Sequence, residues 1–137
     1  MKTLSALAAS AVLCGCAAVN SLGGGYAKAY EGPELKDAEV AILYTPKPVG
    51  NPMAFVAKVD EQVVGDDMLR GYPMVTKVLP GDHRIYVKCN MNTHYAFTTL
   101  ALRFQPGHYY ELSCVNTGTG KASMTITDRG TENTLPK

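Results

Sequence analysis

Two segments of the chain repeat one pattern, and the pattern requires a β structure. Residues 83–89 and 108–114 both read His-x-apolar-x-apolar-x-Cys, and each follows a Pro-Gly pair, Pro80-Gly81 or Pro106-Gly107. Alternation with a period of two is typical of strands that are buried on one side. Pro followed by Gly suits the central positions of a type II turn, because Pro fixes φ and Gly accepts a positive φ.

The segments before and within this pattern predict two β-hairpins built on the Pro-Gly turns. Residues 74–79 and 97–104 precede the turns and are rich in β-forming side chains. Since side chains alternate between the faces of a strand, Cys89 lies on the apolar face of its segment and Cys114 on the corresponding face of the other. Both sulfur atoms are therefore predicted to point toward the core.

The rest of the chain beyond the first 37 residues supports one all-β domain. Residues 40–44 and 54–59 alternate in the same way, residues 122–127 offer a closing strand, and a helical stripe is absent. A chain of 137 residues has room for one domain. We predict an antiparallel sandwich or partly open barrel of about seven strands over residues 38–128, followed by a polar tail, 129–137.

A short apolar segment near the N-terminus is followed directly by two cysteines. Lys2 precedes the uncharged stretch 4–13, which has the length of the apolar segment of a secretory signal peptide and is too short to span a membrane. The sequence Leu-Cys-Gly-Cys at 13–16 resembles the lipobox of bacterial lipoproteins, in which the acylated Cys becomes the first mature residue. This resemblance implies a signal peptide at 1–15 and lipidation of Cys16.

The lipoprotein resemblance also predicts a localisation. Ala17, directly after the acylated Cys, implies release to the outer membrane, so we expect a protein held to membrane lipid through Cys16 and facing the periplasm. Ordinary cleavage that leaves a free Cys and an uncleaved anchor are the two alternatives. Residues 16–37 are small, polar and rich in Gly, a composition that predicts a flexible tether.

Processing changes what the four cysteines of the chain can do. Cys14 leaves with the signal peptide and Cys16 carries lipid, so Cys89 and Cys114 remain as thiols in an oxidising compartment. We therefore predict that these two form a disulfide. The bond closes a loop of about 25 residues and contributes about 3 to 4 kcal/mol in the chain-entropy model.

Four short motifs of the chain are informative when taken together. They are Tyr-Glu-Gly-Pro at 30–33, Val-Ala-Ile-Leu at 40–43, Leu-Pro-Gly-Asp-His at 79–83 and Pro-Gly-His-Tyr-Tyr at 106–110. They resemble motifs of a group of small bacterial lipoproteins, whose domain is similar to the PEGA-like β-sandwich, in which an apolar-Pro-Gly-x-His turn opens a strand. The resemblance covers residues 26–115 and implies a membrane-attached accessory or binding domain, with no shared catalytic residues to carry over.

Few side chains are arranged for chemistry. His83, His94 and His108 are weak candidates for a copper or zinc site with Met91 or Cys89. Hydrogen bonds to the turn backbone are the more ordinary role for the first and last of these histidines. The chain lacks a Gly-x-Ser-x-Gly nucleophile elbow, so we expect neither catalysis nor a cofactor.

Two tyrosines are candidates for a recognition surface. Tyr86 and Tyr109 lie on the face opposite the predicted core residues of their strands. Exposed aromatic side chains are frequent anchors of interfaces, and packing under a loop is the alternative. A formal net charge of +1 argues against nucleic acid as the partner.

Three functions are compatible with these features. The leading hypothesis is a non-enzymatic envelope lipoprotein that binds or scaffolds another envelope protein or a cell-wall component. An inhibitor of a lytic enzyme such as lysozyme is the second, and its inserting loop would be residues 90–94. A metal-handling lipoprotein that uses the histidines is the third.

Overall fold

The computed structural model describes residues 25–46, 52–65, 71–91 and 93–137, which form two β-sheets. The strands are β1 (Tyr26–Lys28), β2 (Ala41–Tyr44), β3 (Met53–Val59), β4 (Gln62–Val63), β5 (Val75–Val78), β6 (Gly81–Asn90), β7 (Tyr95–Phe104), β8 (Tyr109–Gly118) and β9 (Lys121–Asp128). One turn of 3-10 helix, Asp37–Glu39, precedes β2. The predicted all-β sandwich is confirmed.

The described residues form nine strands, whereas the sequence pattern predicts about seven. The two additional strands, β1 and β4, have three and two residues. Alternation becomes informative only over four residues or more. Strands this short therefore leave no readable pattern in the sequence.

The two sheets differ in size and in strand direction. One sheet has the order β1-β5-β2-β8-β9, and the other has the order β4-β3-β6-β7. In the first sheet β1 pairs with β5 and β2 pairs with β8 in parallel. In the second sheet β6 and β7 pair antiparallel over their full length, from Gly81 opposite Phe104 to Asn90 opposite Tyr95.

The two Pro-Gly turns do not form hairpins, and this part of the prediction is wrong. The first turn connects β5 of the five-stranded sheet to β6 of the four-stranded sheet. The second connects β7 of the four-stranded sheet to β8 of the five-stranded sheet. Pro80-Gly81 and Pro106-Gly107 therefore carry the chain across the sandwich. Gly107 has a φ of +77°, which suits a type II turn. Turns of this type splay the strands they join, whereas tight hairpins favour the mirror-image turns.

The long hairpins of the fold are formed by other pairs of strands. β6 and β7 are joined across residues 91–94, and β8 and β9 are joined across Thr119 and Gly120. Gly120 has a φ of +69°, which a glycine adopts without a steric penalty. The β6–β7 hairpin therefore provides half of the four-stranded sheet.

The core lies between the sheets, and the predicted disulfide crosses it. Cys89 on β6 and Cys114 on β8 are bonded, with Cα atoms 6.1 Å apart, and their strands belong to different sheets. Both cysteines are buried. The residues that alternate with them also point inward as predicted, namely Ile85, Val87, Tyr110 and Leu112.

Residues 25–37 belong to the folded domain, which corrects the predicted extent of the tether. β1 lies in this segment and pairs with β5, and Tyr30 is buried against the outer face of the five-stranded sheet. The Nζ atom of Lys77 lies 3.0 Å from Glu34 Oε1 and 2.8 Å from Asp37 Oδ1. These ion pairs join the segment to β5, and composition alone does not reveal them.

Several predictions concern residues outside the described ranges. The signal peptide 1–15, the lipidation of Cys16 and the tether up to residue 24 all lie there. Within the described ranges, the structure contains no helix with the length and apolar character needed to cross a membrane.

Candidate functional site

A row of three side chains crosses the outer face of the four-stranded sheet. Phe55 on β3 stands opposite Lys88 on β6, and Lys88 stands opposite Phe97 on β7. Directly opposite residues have Cβ atoms about 4.5 to 5.5 Å apart, so the lysine lies between two phenylalanines. Tyr86 and Tyr95 share this face, because each lies two residues before a member of the row.

Lys88 is buried beneath aromatic rings. The residue is 5% exposed, and its Nζ atom lies 3.8 Å from the ring centroid of Tyr95, 4.6 Å from that of Tyr72 and 5.4 Å from that of Phe97. The same atom contacts the Tyr72 hydroxyl. Removing an ammonium group from water is costly, and the cation–π contacts offset part of that cost.

Two pairs of stacked rings complete the arrangement. The ring centroids of Tyr86 and Phe97 are 5.5 Å apart with 20° between the planes, and those of Phe55 and Tyr72 are 5.1 Å apart with 26° between the planes. We call this set the aromatic platform, and its members are Phe55, Tyr72, Tyr86, Lys88, Tyr95 and Phe97.

The aromatic platform is open to solvent on the β7 side. Tyr95 is 50% exposed and Phe97 is 51% exposed. Large rings held on a sheet present apolar area at a low cost in conformational entropy, which is why they act as anchors of interfaces. The arrangement is therefore suited to binding.

The two tyrosines predicted from the sequence have different environments. Tyr86 is partly buried and forms part of the aromatic platform. Tyr109 lies opposite the core face as predicted, but it is only 5% exposed, so it is removed from the candidate recognition surface. A second apolar cluster covers it, formed by Tyr30, Val40, Ile42 and Tyr44 with Leu35, Val75 and Leu135 packed against them.

The three histidines lie in three separate contacts. His83 Nδ1 lies 2.6 Å from Asp60 Oδ2, and His108 Nδ1 lies 2.9 Å from Asp128 Oδ1. His94 Nδ1 lies 2.7 Å from the Thr93 hydroxyl. Across the described residues, no three metal-ligating side chains are grouped for an ion. Side-chain carboxylates, and not the turn backbone, are the partners of the first and last histidines.

A shallow depression lies beside the His83–Asp60 pair. Its volume is about 430 Å³, and its lining includes Arg84 and Arg103 with the two carboxylates Asp60 and Asp82. The Nε2 atom of His83 is buried and has no hydrogen-bond partner in the described part of the chain. The residues described around this depression include no hydroxyl or thiol that the imidazole could activate.

Asp60 connects the turn after β3 to β6. Its Oδ1 accepts the backbone N–H of Arg84 at 2.9 Å, and its Oδ2 lies 2.6 Å from His83 Nδ1. The Arg84 N–H, followed by the hydrogen bond to His83, lowers the pKa of Asp60 below its ordinary value. A carboxyl group with a depressed folded-state pKa stabilises the fold above its unfolded pKa and loses this contribution as the pH falls through the folded pKa.

Replacement of Asp60 by Asn is therefore expected to make stability less sensitive to acid. Asn tolerates the φ of +50° at this position but lacks the charge. The Asp60 side chain is 51% exposed, so solvent screens part of its interaction. We expect Asp60→Asn to lower the free energy of unfolding by about 0.5 to 1 kcal/mol at about pH 7 and to reduce the further loss as the pH falls below about 5. Urea unfolding at each pH measures both effects.

The matched control for this experiment is Asp82→Asn. Asp82 is an exposed carboxylate on β6, and its side chain is 77% exposed with Arg103 Nε at 3.5 Å. Exposed pairs of this kind contribute little to stability. Equal pH dependence in Asp60→Asn and Asp82→Asn would contradict the role assigned to Asp60.

The segment predicted as an inhibitory loop is a tight connection between β6 and β7. Met91 N–H donates to the His94 carbonyl at 2.8 Å, and Thr93 N–H donates to the Met91 carbonyl at 2.9 Å. Met91 is 9% exposed and packs against the core. Thr93 and His94 are the exposed described members of this connection, while Asn92 lies outside the described residues.

Tyr86 was predicted from the sequence to lie on a recognition surface, whereas the other members of the aromatic platform were not. The sequence held a signal for two of them. Alternation along β6 places Lys88 on the same face as Tyr86, and alternation along β7 places Phe97 on the same face as Tyr95. To combine these two faces, one has to know that β6 pairs with β7. The predicted hairpins at the Pro-Gly turns paired β6 with β5 and β7 with β8 instead. Tyr72 lies outside the strands and has no such signal.

Comparison of the chain with protein-family models, with curated proteins and with solved structures finds no match.

Proposed function

We propose that this protein is an envelope lipoprotein, lipidated at Cys16 and anchored in the outer membrane, whose β-sandwich is a non-enzymatic binding domain for another envelope protein. The observation that carries the binding role is the half-exposed pair Tyr95 and Phe97 beside the buried Lys88. The sequence features that support the anchor are the short apolar stretch and the Leu-Cys-Gly-Cys motif.

The chemistry of the aromatic platform favours a protein partner with apolar side chains and a nearby carboxylate. Tyr95 and Phe97 supply apolar area for the centre of an interface. Arg84 is exposed and lies on the same face of β6 as Lys88, and Lys58 stands opposite Tyr86 on β3. These cations border the rings. Lys58 Nζ lies 3.5 Å from the exposed Glu61 Oε2, so a partner carboxylate would complement Arg84 directly and would replace Glu61 at Lys58.

A photoreactive phenylalanine analogue at position 97 tests this function. It keeps the ring in place, and irradiation of whole cells followed by mass spectrometry identifies what contacts the platform. The matched control carries the analogue at Thr127, an exposed residue of β9 in the other sheet. We expect an adduct with a different protein from position 97 that is absent from position 127, and an adduct with a second copy of this chain does not count as that partner.

Other adduct patterns would contradict the binding role. Identical adducts from both positions would mean that the platform has no selectivity, and an adduct with a polysaccharide would replace the protein partner by a glycan. Absence of any adduct at position 97, in cells where the labelled protein is present at its normal level, would remove the platform as a binding site.

The two N-terminal cysteines allow a matched test of the anchor. We expect Cys16→Ser to abolish acylation, so that the intact mass of this variant includes no lipid. Cys14→Ser should keep the lipid, with an intact mass that begins at an acylated Cys16. A lipid-bearing Cys16→Ser chain, or a Cys14→Ser chain without lipid, would contradict the lipobox assignment.

A further inference from the structure

β7 forms one edge of the four-stranded sheet and is long and sparsely charged. Within the described residues its far side has no strand neighbour. Its ten residues pair with β6 without interruption, and they include one charged side chain, Arg103, and no proline or glycine. Edge strands of this kind are templates for a further strand, and proteins commonly shorten, charge or bulge them to prevent pairing.

The backbone of β7 is oriented for such pairing. Met91 N–H donates to the His94 carbonyl, which places a hydrogen-bonded pair at the start of the hairpin. Hydrogen-bonded and non-hydrogen-bonded pairs alternate along antiparallel strands. The odd-numbered residues from 95 to 103 therefore direct their N–H and C=O groups away from β6 and toward the edge that no described strand pairs with.

The side chains of β7 are complementary to those of a second, antiparallel β7. We consider a two-fold axis that passes beside Thr99, so that this residue faces its own copy. On the exposed face, Tyr95 then lies opposite Arg103 and Phe97 opposite Ala101. On the inner face, Ala96 lies opposite Leu102 and Thr98 opposite Leu100. Each large apolar side chain meets a smaller one, and the cation meets an aromatic ring.

We propose that two copies of this protein form a two-fold symmetric dimer in which their β7 strands pair antiparallel in this register. The interface uses the same surface on both copies, as a closed dimer requires. It joins the two four-stranded sheets and extends the covered area over the partly buried Leu100 and Leu102. The dimer does not depend on the function proposed above, although it would place two aromatic platforms side by side.

The existing contacts of β7 are compatible with this dimer. Arg103 Nε lies 3.5 Å from Asp82 Oδ1, and the two side chains are 70% and 77% exposed. An ion pair this exposed contributes little, so Arg103 can turn toward the Tyr95 ring of the second copy. That ring is half-exposed although Lys88 lies against it.

A lysine on the two-fold axis tests the dimer by charge repulsion. In Thr99→Lys two like charges face each other directly, and we expect the dimer Kd of the full-length chain to rise by about tenfold or more. Sedimentation in a mild non-ionic detergent over a range of concentrations measures it. Thr127→Lys is the control, because Thr127 is also exposed but lies on β9, and it should dimerise like the wild type.

Engineered cysteines test the register independently. Residues that form a hydrogen-bonded pair have Cα atoms about 5.5 Å apart, which lies within the range of a disulfide. Thr99→Cys should therefore give a covalent dimer on mild oxidation, whereas Ala101→Cys should do so only when mixed with Phe97→Cys. The wild-type protein, which has no cysteine on β7, sets the background.

Three results would overturn the dimer. A wild-type chain that sediments as a monomer at every concentration is the first, and a Thr99→Lys chain that dimerises as tightly as Thr127→Lys is the second. Covalent dimers that form equally well from single cysteines at positions 99 and 101 are the third, because random collision and not the two-fold register would then explain them.

Discussion

Replacement of both Cys89 and Cys114 by alanine is expected to lower the free energy of unfolding by about 3 to 4 kcal/mol. The two residues are separated by 25 positions, so the bond removes much of the freedom of the unfolded chain. The bond also connects β6 in one sheet to β8 in the other. Since small domains are stable by only about 5 to 15 kcal/mol, this loss would remove a large share of the total.

Urea unfolding with and without a reductant measures this contribution. Reduction of the wild-type protein should lower the midpoint of unfolding toward that of the double alanine variant. The double variant should be insensitive to the reductant, which makes it the matched control. An unchanged midpoint in wild-type protein whose two thiols are shown by mass to be free would contradict the predicted stabilisation.

The inward direction of Cys89 and Cys114 was predictable because it depends on local periodicity. Side chains of a strand alternate whatever the strand pairs with, so Ile85, Val87 and Leu112 could be assigned to the core from the sequence alone. Their partners across the core could not be assigned in this way. A disulfide was nevertheless predictable. If Cys14 is removed and Cys16 is lipidated, only two cysteines are left to pair in the expected oxidising compartment.

The pairing of the strands was not predictable from the turns alone. Pro106-Gly107 was correctly identified as a turn, and Gly107 adopts the expected positive φ. A type II turn reverses the chain, yet it does not determine whether the next strand joins the same sheet or the opposite one. That choice depends on long-range contacts, such as the parallel pairing of β8 with β2.

Tyr86 and Tyr109 show how long-range packing determines which side chains are exposed. Both lie on the outer face of a strand, and their local sequences do not distinguish them. Tyr109 is covered because Tyr30 packs against its sheet. Tyr86 instead stacks on Phe97 of the neighbouring strand and stays on an open face. The difference lies in distant parts of the chain.

The buried ammonium group of Lys88 has a structural role in the aromatic platform. It contacts rings that come from β7 and from the segment before β5, namely Tyr95, Phe97 and Tyr72. A cation at the centre of these rings favours the orientation in which their faces point toward it. The half-exposed Tyr95 and Phe97 are thereby held in place before a partner binds, which lowers the entropic cost of binding.

Reversal of the charge at Lys88 is expected to lower the free energy of unfolding strongly. Lys88→Glu would place a carboxylate against the negative faces of the rings, at a position that is 5% exposed. We expect the free energy of unfolding to fall by about 3 to 5 kcal/mol, as it does when a buried charge is left without compensation. Urea unfolding measures this loss, and Lys121→Glu on the exposed end of β9 should change stability by less than about 0.5 kcal/mol.

Lys88→Met separates the charge of the lysine from its volume. Methionine fills similar space and requires no desolvation of a charge, so we expect stability within about 1 kcal/mol of the wild type. Near-ultraviolet circular dichroism should nevertheless weaken, because the tyrosine rings would lose the cation that orients them. Equal destabilisation by Met and Glu would assign the stability of the platform to the positive charge, because both variants lack that charge and methionine keeps most of the packing. A small loss in Met with a strong loss in Glu would show that packing at position 88 is sufficient for stability and that the buried negative charge destabilises the Glu variant. The orienting role of the cation is then measured by the circular dichroism of the Met variant.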